Sequence, residues 1–140
     1  MIRSSRIAIA LLAISPSLTG AWASADVVAI VSAKSSVKTL TPNQVADIFL
    51  GRVSRFPNGL LAVPVDLRDG SAERDQFYAR ITGKTPAQLK AYWSKIIFTG
   101  RGQPPKAVST DLDVKKFIAA NESAIGYIDI ALLDDSVRAL

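Results

Sequence analysis

Apolar positions along the chain fall into two kinds of run. Val27-Val28-Ala29-Ile30-Val31 is continuous and rich in β-branched residues, the pattern of a strand buried on both faces. Leu61-Ala62-Val63-Pro64-Val65 and Ala124-Ile125-Gly126-Tyr127-Ile128 predict two further strands. Pro64 has no N–H for a ladder and moves the second strand toward a sheet edge, while Gly126 points to a bulge or to close approach of another backbone or side chain. Between these runs the spacing becomes helical. Thr41-Pro42-Asn43-Gln44 and Thr85-Pro86-Ala87-Gln88 each supply a Thr cap, a Pro at the first helical position and a Gln three residues after the cap. The first helix carries Val45, Ile48 and Phe49 inward and stops at Gly51. The second carries Leu89, Tyr92, Trp93, Ile96 and Ile97 on one stripe, which predicts core packing for its aromatic residues rather than a ligand platform. Helices over about 71–81 and 111–121, the latter with Val114, Phe117 and Ile118 inward, complete the set. Three strands and four helices predict a small α/β domain whose sheet is covered on both faces.

The first 25 residues stand apart. Met1-Ile2-Arg3-Ser4-Ser5-Arg6 is basic and Ile7 to Ile14 is an unbroken apolar stretch, too short to span a bilayer as a helix. This is the pattern of a secretory signal peptide. Small-x-small sites at Ala21-Trp22-Ala23 and Ala23-Ser24-Ala25 place the mature start at Ser24 or Asp26, with Asp26 favoured. Residues 26–140 then form one domain, a periplasmic protein not inserted in the membrane once cleaved.

Composition narrows the chemistry. The 140 residues include 17 Lys+Arg, 12 Asp+Glu, no His and no Cys. Imidazole bases, thiolate nucleophiles and the usual zinc sites are therefore excluded, no cofactor or metal is implied, and an enzyme is not expected. Loss of Arg3 and Arg6 with the leader lowers the formal net charge from +5 to +3. No basic run exceeds Lys115-Lys116, so nucleic acid is set aside as a partner. Asp111/Asp113 and Asp134/Asp135 read as helix-start and tail charges rather than a catalytic pair.

The most informative segment is Arg68-Asp69-Gly70-Ser71-Ala72-Glu73-Arg74, which passes from a strand through a glycine turn into a helix. A helix start leaves amides unpaired and carries partial positive charge, and a guanidinium can grip a tetrahedral oxyanion through two parallel hydrogen bonds. Arg68, Gly70, Ser71 and Arg74 are the candidate ligands. Arg101, between glycines in the Phe98-Thr99-Gly100-Arg101-Gly102-Gln103-Pro104-Pro105 loop, is a further candidate cation. The bland alternative is that Ser71 only caps the helix and the arginines pair with Asp69, Glu73 or Asp75.

Three segments carry a resemblance. Leu40-Thr41-Pro42-Asn43-Gln44-Val45-Ala46-Asp47-Ile48-Phe49-Leu50-Gly51-Arg52, the Asp69-Gly70-Ser71 turn followed by Phe77, and Ala124-Ile125-Gly126-Tyr127 resemble, in that order, motifs of the phosphate-binding proteins of ABC uptake systems. The stretch from Tyr92-Trp93 to Arg101 is similar to short exported members of that group. The resemblance implies a type II periplasmic-binding-protein lobe, a mixed sheet covered by helices, and Ser71 as a phosphate ligand. It departs where Ala72-Glu73 replaces the family's Gly-Thr and where Leu67 stands at the family's Arg, with Arg68 one step later. It also spans only one of the two lobes that close on phosphate. Two readings follow. One is a binding protein for phosphate or a similar oxyanion, working with an ABC permease. The other is an envelope interaction or sensor module, self-association included, whose anion site is vestigial. Glu73 separates them: folded back on the helix cap it tolerates an anion, and filling the mouth of the turn it excludes phosphate.

Overall fold

The computed structural model describes residues 26–140, so the expected signal segment and its cleavage sites lie outside the described residues. In chain order the elements are β1 (Val27–Ser32), α1 (Pro42–Phe49), β2 (Val63–Leu67), α2 (Ala72–Thr82), α3 (Pro86–Phe98), β3 (Lys106–Val108), α4 (Asp111–Ala120), β4 (Ala124–Asp129) and β5 (Val137–Ala139). The five strands form one mixed sheet in the order β3-β2-β4-β1-β5. β2 runs parallel to β3 and β4, whereas β1 is antiparallel to β4 and β5. The α/β class and the covered mixed sheet are as expected, with two short strands added.

One expectation is corrected. β2 lies between β3 and β4 and is not an edge strand. Its proline is accommodated by register: the Val63 N–H donates to the Ser123 carbonyl on the β4 side at 2.9 Å. Alternation turns the Pro64 nitrogen to the opposite side, where pairing with β3 begins only at Val65 opposite Lys106. The missing donor therefore faces no acceptor of a neighbouring strand.

Both capping boxes form, with the Thr41 and Thr85 hydroxyls accepting from the Gln44 and Gln88 amides and each Gln side chain accepting from the Thr amide. The stripe on α3 is narrower than its spacing predicts. Leu89 and Trp93 are buried and the Tyr92 hydroxyl donates to the Leu50 carbonyl at 2.7 Å, but Ile97 is 54% exposed. Tyr92 and Trp93 meet the end of α1 at Leu50 and Gly51, and Ile97, at the margin of the stripe, is left off the core. Phe117 of α4 is likewise half-buried rather than fully inward.

Successive residues of β4 point to opposite faces of the sheet. Tyr127 stacks on Phe77 of α2 at 4.0 Å between ring centroids and lies 5.8 Å from Phe49 of α1. On the other face, Gly126 sits beneath α4. A Cβ there would come within 2.6 Å of Val114 Cγ1 and 3.1 Å of Ile118 Cγ1. Pairing runs unbroken through Ile30 opposite Gly126, so this glycine marks close helix approach and not a bulge. Two arginines pin the periphery: Arg80 donates to the Val27 carbonyl at 2.8 Å, and Arg138 of β5 donates to the carbonyls of Ser35 and Val37.

Gly126→Ala is expected to cost about 1–3 kcal/mol, because the added methyl meets two fully buried side chains rather than solvent. Urea unfolding of the two proteins checks this; an unchanged midpoint would mean that α4 is not seated on the strand.

Candidate functional site

β2 ends at Leu67, and the chain turns through Arg68, Asp69 and Gly70 before Ser71 caps α2. Gly70 has φ +89°, a conformation that side-chain-bearing residues rarely adopt. The Ser71 amide donates to the Arg68 carbonyl at 3.3 Å, closing the turn. The Ser71 hydroxyl accepts from the Arg74 amide at 3.2 Å and donates to Glu73 Oε2 at 3.0 Å. Glu73 is therefore folded back on the cap, the arrangement that tolerates an anion. The first helical amides, at Ala72 and Glu73, have no intrahelical acceptor.

Beneath the turn lies a group that sequence patterning did not single out. Asp66 of β2 is 3% exposed. Its carboxylate accepts from the Tyr78 hydroxyl at 2.7 Å, from the Tyr127 hydroxyl and from the Leu67 amide at 2.8 Å. Tyr127 in turn accepts from the Leu67 amide at 3.1 Å. Burial raises the Asp66 pKa above its ordinary value, against the two tyrosine hydroxyls, the Arg74 charge and the Leu67 amide, all of which favour the carboxylate. Burial, followed by the Asp66 charge, pushes both phenols far above their usual range, so each stays a donor. The visible signal was a lone acid inside the apolar run Val65-Asp66-Leu67.

Arg74 joins this cluster to the surface. Its Nε lies 3.5 Å from Asp66 Oδ1 and its Nη1 3.0 Å from Asp69 Oδ1, while its Cζ sits 5.1 Å from the centroid of the Tyr78 ring. The Arg74 side chain is 11% exposed and that of Asp69 is 87% exposed. The guanidinium is thus paired with a buried carboxylate on the core side and with an exposed one on the solvent side.

The turn opens on a cavity of about 760 Å³ between α3, the β2–α2 connection and the segment leading into β3. Arg68, Gly70 and Arg74 line it. Ser71, occupied by its cap and by Glu73, and Arg101, exposed on its loop, are not among the lining residues. Trp93 belongs to the core, as its spacing predicts, and also forms part of the cavity wall. Of the paired acids, Asp111 accepts from the Asp129 amide at 2.9 Å and Asp134 pairs with Lys115 at 2.8 Å. Among the described residues there is no cluster of His, Cys, Asp and Glu suited to a metal ion, and no helix is long and apolar enough to cross a membrane.

No family model matches the chain, and no curated protein matches it by sequence. Solved structures do. A candidate phosphate ABC transporter substrate-binding protein with bound phosphate, from Clostridium perfringens, is similar at TM-score 0.63 and 28% identity over 81% of this chain and 43% of its own. An ABC-type phosphate transport receptor from Vibrio cholerae gives 0.64 and 19% over 81% and 44%. A candidate phosphate-binding protein from Planctomyces limnophilus gives 0.60 and 16% over 81% and 40%. The fold is similar to part of these proteins, and the chain spans less than half the length of each of them.

Asp66→Ala strands two buried hydroxyls and is expected to destabilise the protein by about 2–6 kcal/mol, at about 1–3 kcal/mol for each unsatisfied group. Asp66→Asn, which keeps the shape, costs less. The raised pKa means that the folded state holds this proton at pH values where the unfolded chain, near 3.8, has released it. The contribution therefore favours the fold most below about pH 4 and is lost as pH rises through the folded value. Denaturant midpoints from pH 4 to 7 check this: the wild type loses stability relative to Asp66→Asn as pH climbs, and parallel profiles would refute the assignment.

Proposed function

We propose that this chain is an exported binding domain for phosphate or a similar small oxyanion, working with an ABC-type uptake system in the periplasm. The observation that carries this reading is the convergence of Arg68, Gly70 and Arg74 on one cavity at the start of α2. The fold likeness to a protein with bound phosphate supports it. An arriving oxyanion takes the place of Asp69 on Arg74, which Asp66 keeps aimed at the mouth, and Arg68 and the amides at the turn complete the contacts. No step of this needs covalent chemistry. Ser71 acts through the cap, and Arg101 serves only if its loop swings inward. Affinity at this site is modest, since an open cavity leaves part of the anion in water.

A second reading has its own observation. Ile97 and Phe98, at the end of α3, are 54% and 91% exposed, a surface suited to a permease, a sensor or another copy of the chain. Cross-linking in the envelope and sedimentation tests it; a strict monomer that captures no partner counts against it.

Calorimetry with phosphate and sulfate tests the first reading. Heat is expected at or below millimolar phosphate, and Arg68→Ala should weaken binding about tenfold, the ~1.4 kcal/mol of one charge-assisted hydrogen bond. Arg74→Lys keeps the charge but loses the fork and should weaken it similarly, whereas Ser71→Ala should mainly lower stability by about 1 kcal/mol through the lost cap. Absence of heat at millimolar phosphate would sink the receptor reading.

A further inference from the structure

The cavity does not end at the anion-binding turn. At about 760 Å³ it falls within the range of clefts that take drug-sized organic molecules, far more room than one tetrahedral anion fills. Beyond Arg68 and Arg74 its wall is made by one side of α3, where Lys90, Trp93, Ser94 and Ile97 follow helical spacing, and by Pro104 and Pro105 across from them. α3 therefore presents two stripes: Leu89 and Trp93 to the core, and Trp93 to Ile97, with Lys90, to the cavity. Trp93 belongs to both and is only 6% exposed.

Inorganic phosphate at the turn would leave this apolar wall uncovered. A neutral apolar molecule would leave the Arg68 and Lys90 charges unused. We propose, resting on the oxyanion reading above, that the cavity takes a phosphomonoester. The phosphoryl group lies against Arg68, Gly70 and Arg74, and the organic group lies along Trp93, Ile97 and the two prolines. The contacts are reversible and no bond of the ligand is broken.

The chain has two tryptophans, Trp22 and Trp93. In the full chain carrying Trp22→Phe, Trp93 is the sole indole and reports directly on the wall. Titration with phenyl phosphate is expected to shift its emission and to give an affinity at least tenfold above that of inorganic phosphate measured by calorimetry. Ile97→Ser, at an exposed position that does not support the core, should remove most of that preference and leave the inorganic phosphate affinity unchanged. Equal affinities for the two phosphates overturn this inference and leave the oxyanion reading standing. Binding of neither overturns both. Phenol binding as tightly as phenyl phosphate shows that the head group is not used, and tighter phenyl phosphate binding with unchanged emission places the organic group elsewhere; either result overturns the proposal.

Discussion

The buried carboxylate of Asp66 is the constraint on which the functional end of this molecule depends. A charge inside a core is costly unless it is paired and hydrogen-bonded, and here donors come from three elements: Tyr127 of β4, Tyr78 of α2 and the amide of Leu67 in β2. The same group lies 3.5 Å from the Nε of Arg74, whose outer edge pairs with Asp69. Asp66, Arg74 and Asp69 thus form a line from the core to open solvent, with side-chain exposures of 4%, 11% and 87%. The inner end is enclosed by the core and the outer end is open to water. An arginine anchored only by its own flexible stem would lose more side-chain freedom on gripping a ligand.

The sheet divides the labour between its two halves. β2 and β3 run parallel, and their carboxyl ends lead to the starts of α2 and α4, where backbone amides and partial positive charge collect. β1 and β5 are antiparallel and serve as framework, tied back by Arg80 and Arg138. β4 joins the halves, and two adjacent residues give it a different neighbour on each face. Gly126 lets α4 lie close on one side, and Tyr127 reaches the Asp66 cluster on the other.

Much of this was legible in the chain, for reasons that are local. The Thr-Pro-x-Gln boxes satisfy their own helix starts within four residues, so α1 and α3 could be placed from short-range chemistry alone. The glycine turn before Ser71 was legible for the same reason. β3 and β5, three residues each, are too short for a period to show, and they exist because neighbouring strands offer them partners. Pro64 was misplaced because its tolerance depends on which side β3 begins to pair. Asp66 was the largest omission: its donors lie 12 and 61 residues away, and no spacing rule joins them. Arg74 was singled out as an anion ligand, with a surface pair to Asp69 as the alternative; the pair to Asp69 forms, and the buried inner partner Asp66 was not foreseen. On α3, helical spacing located Trp93 without revealing that it also faces a cavity.

The position of β1 bears on how the chain folds. It is the first strand in sequence, yet its two neighbours in the sheet, β4 and β5, are the last two: Val27 pairs opposite Asp129, and Ser32 opposite Val137. No part of the antiparallel half can assemble until almost the whole described chain is in place, and each pairing closes a loop of about a hundred residues, which slows folding. Helices α1 to α4 can flicker early, but without β1 the sheet lacks the strand that joins β4 to β5 and carries much of the core. Such late commitment leaves the described chain without its antiparallel half for as long as β4 and β5 are withheld.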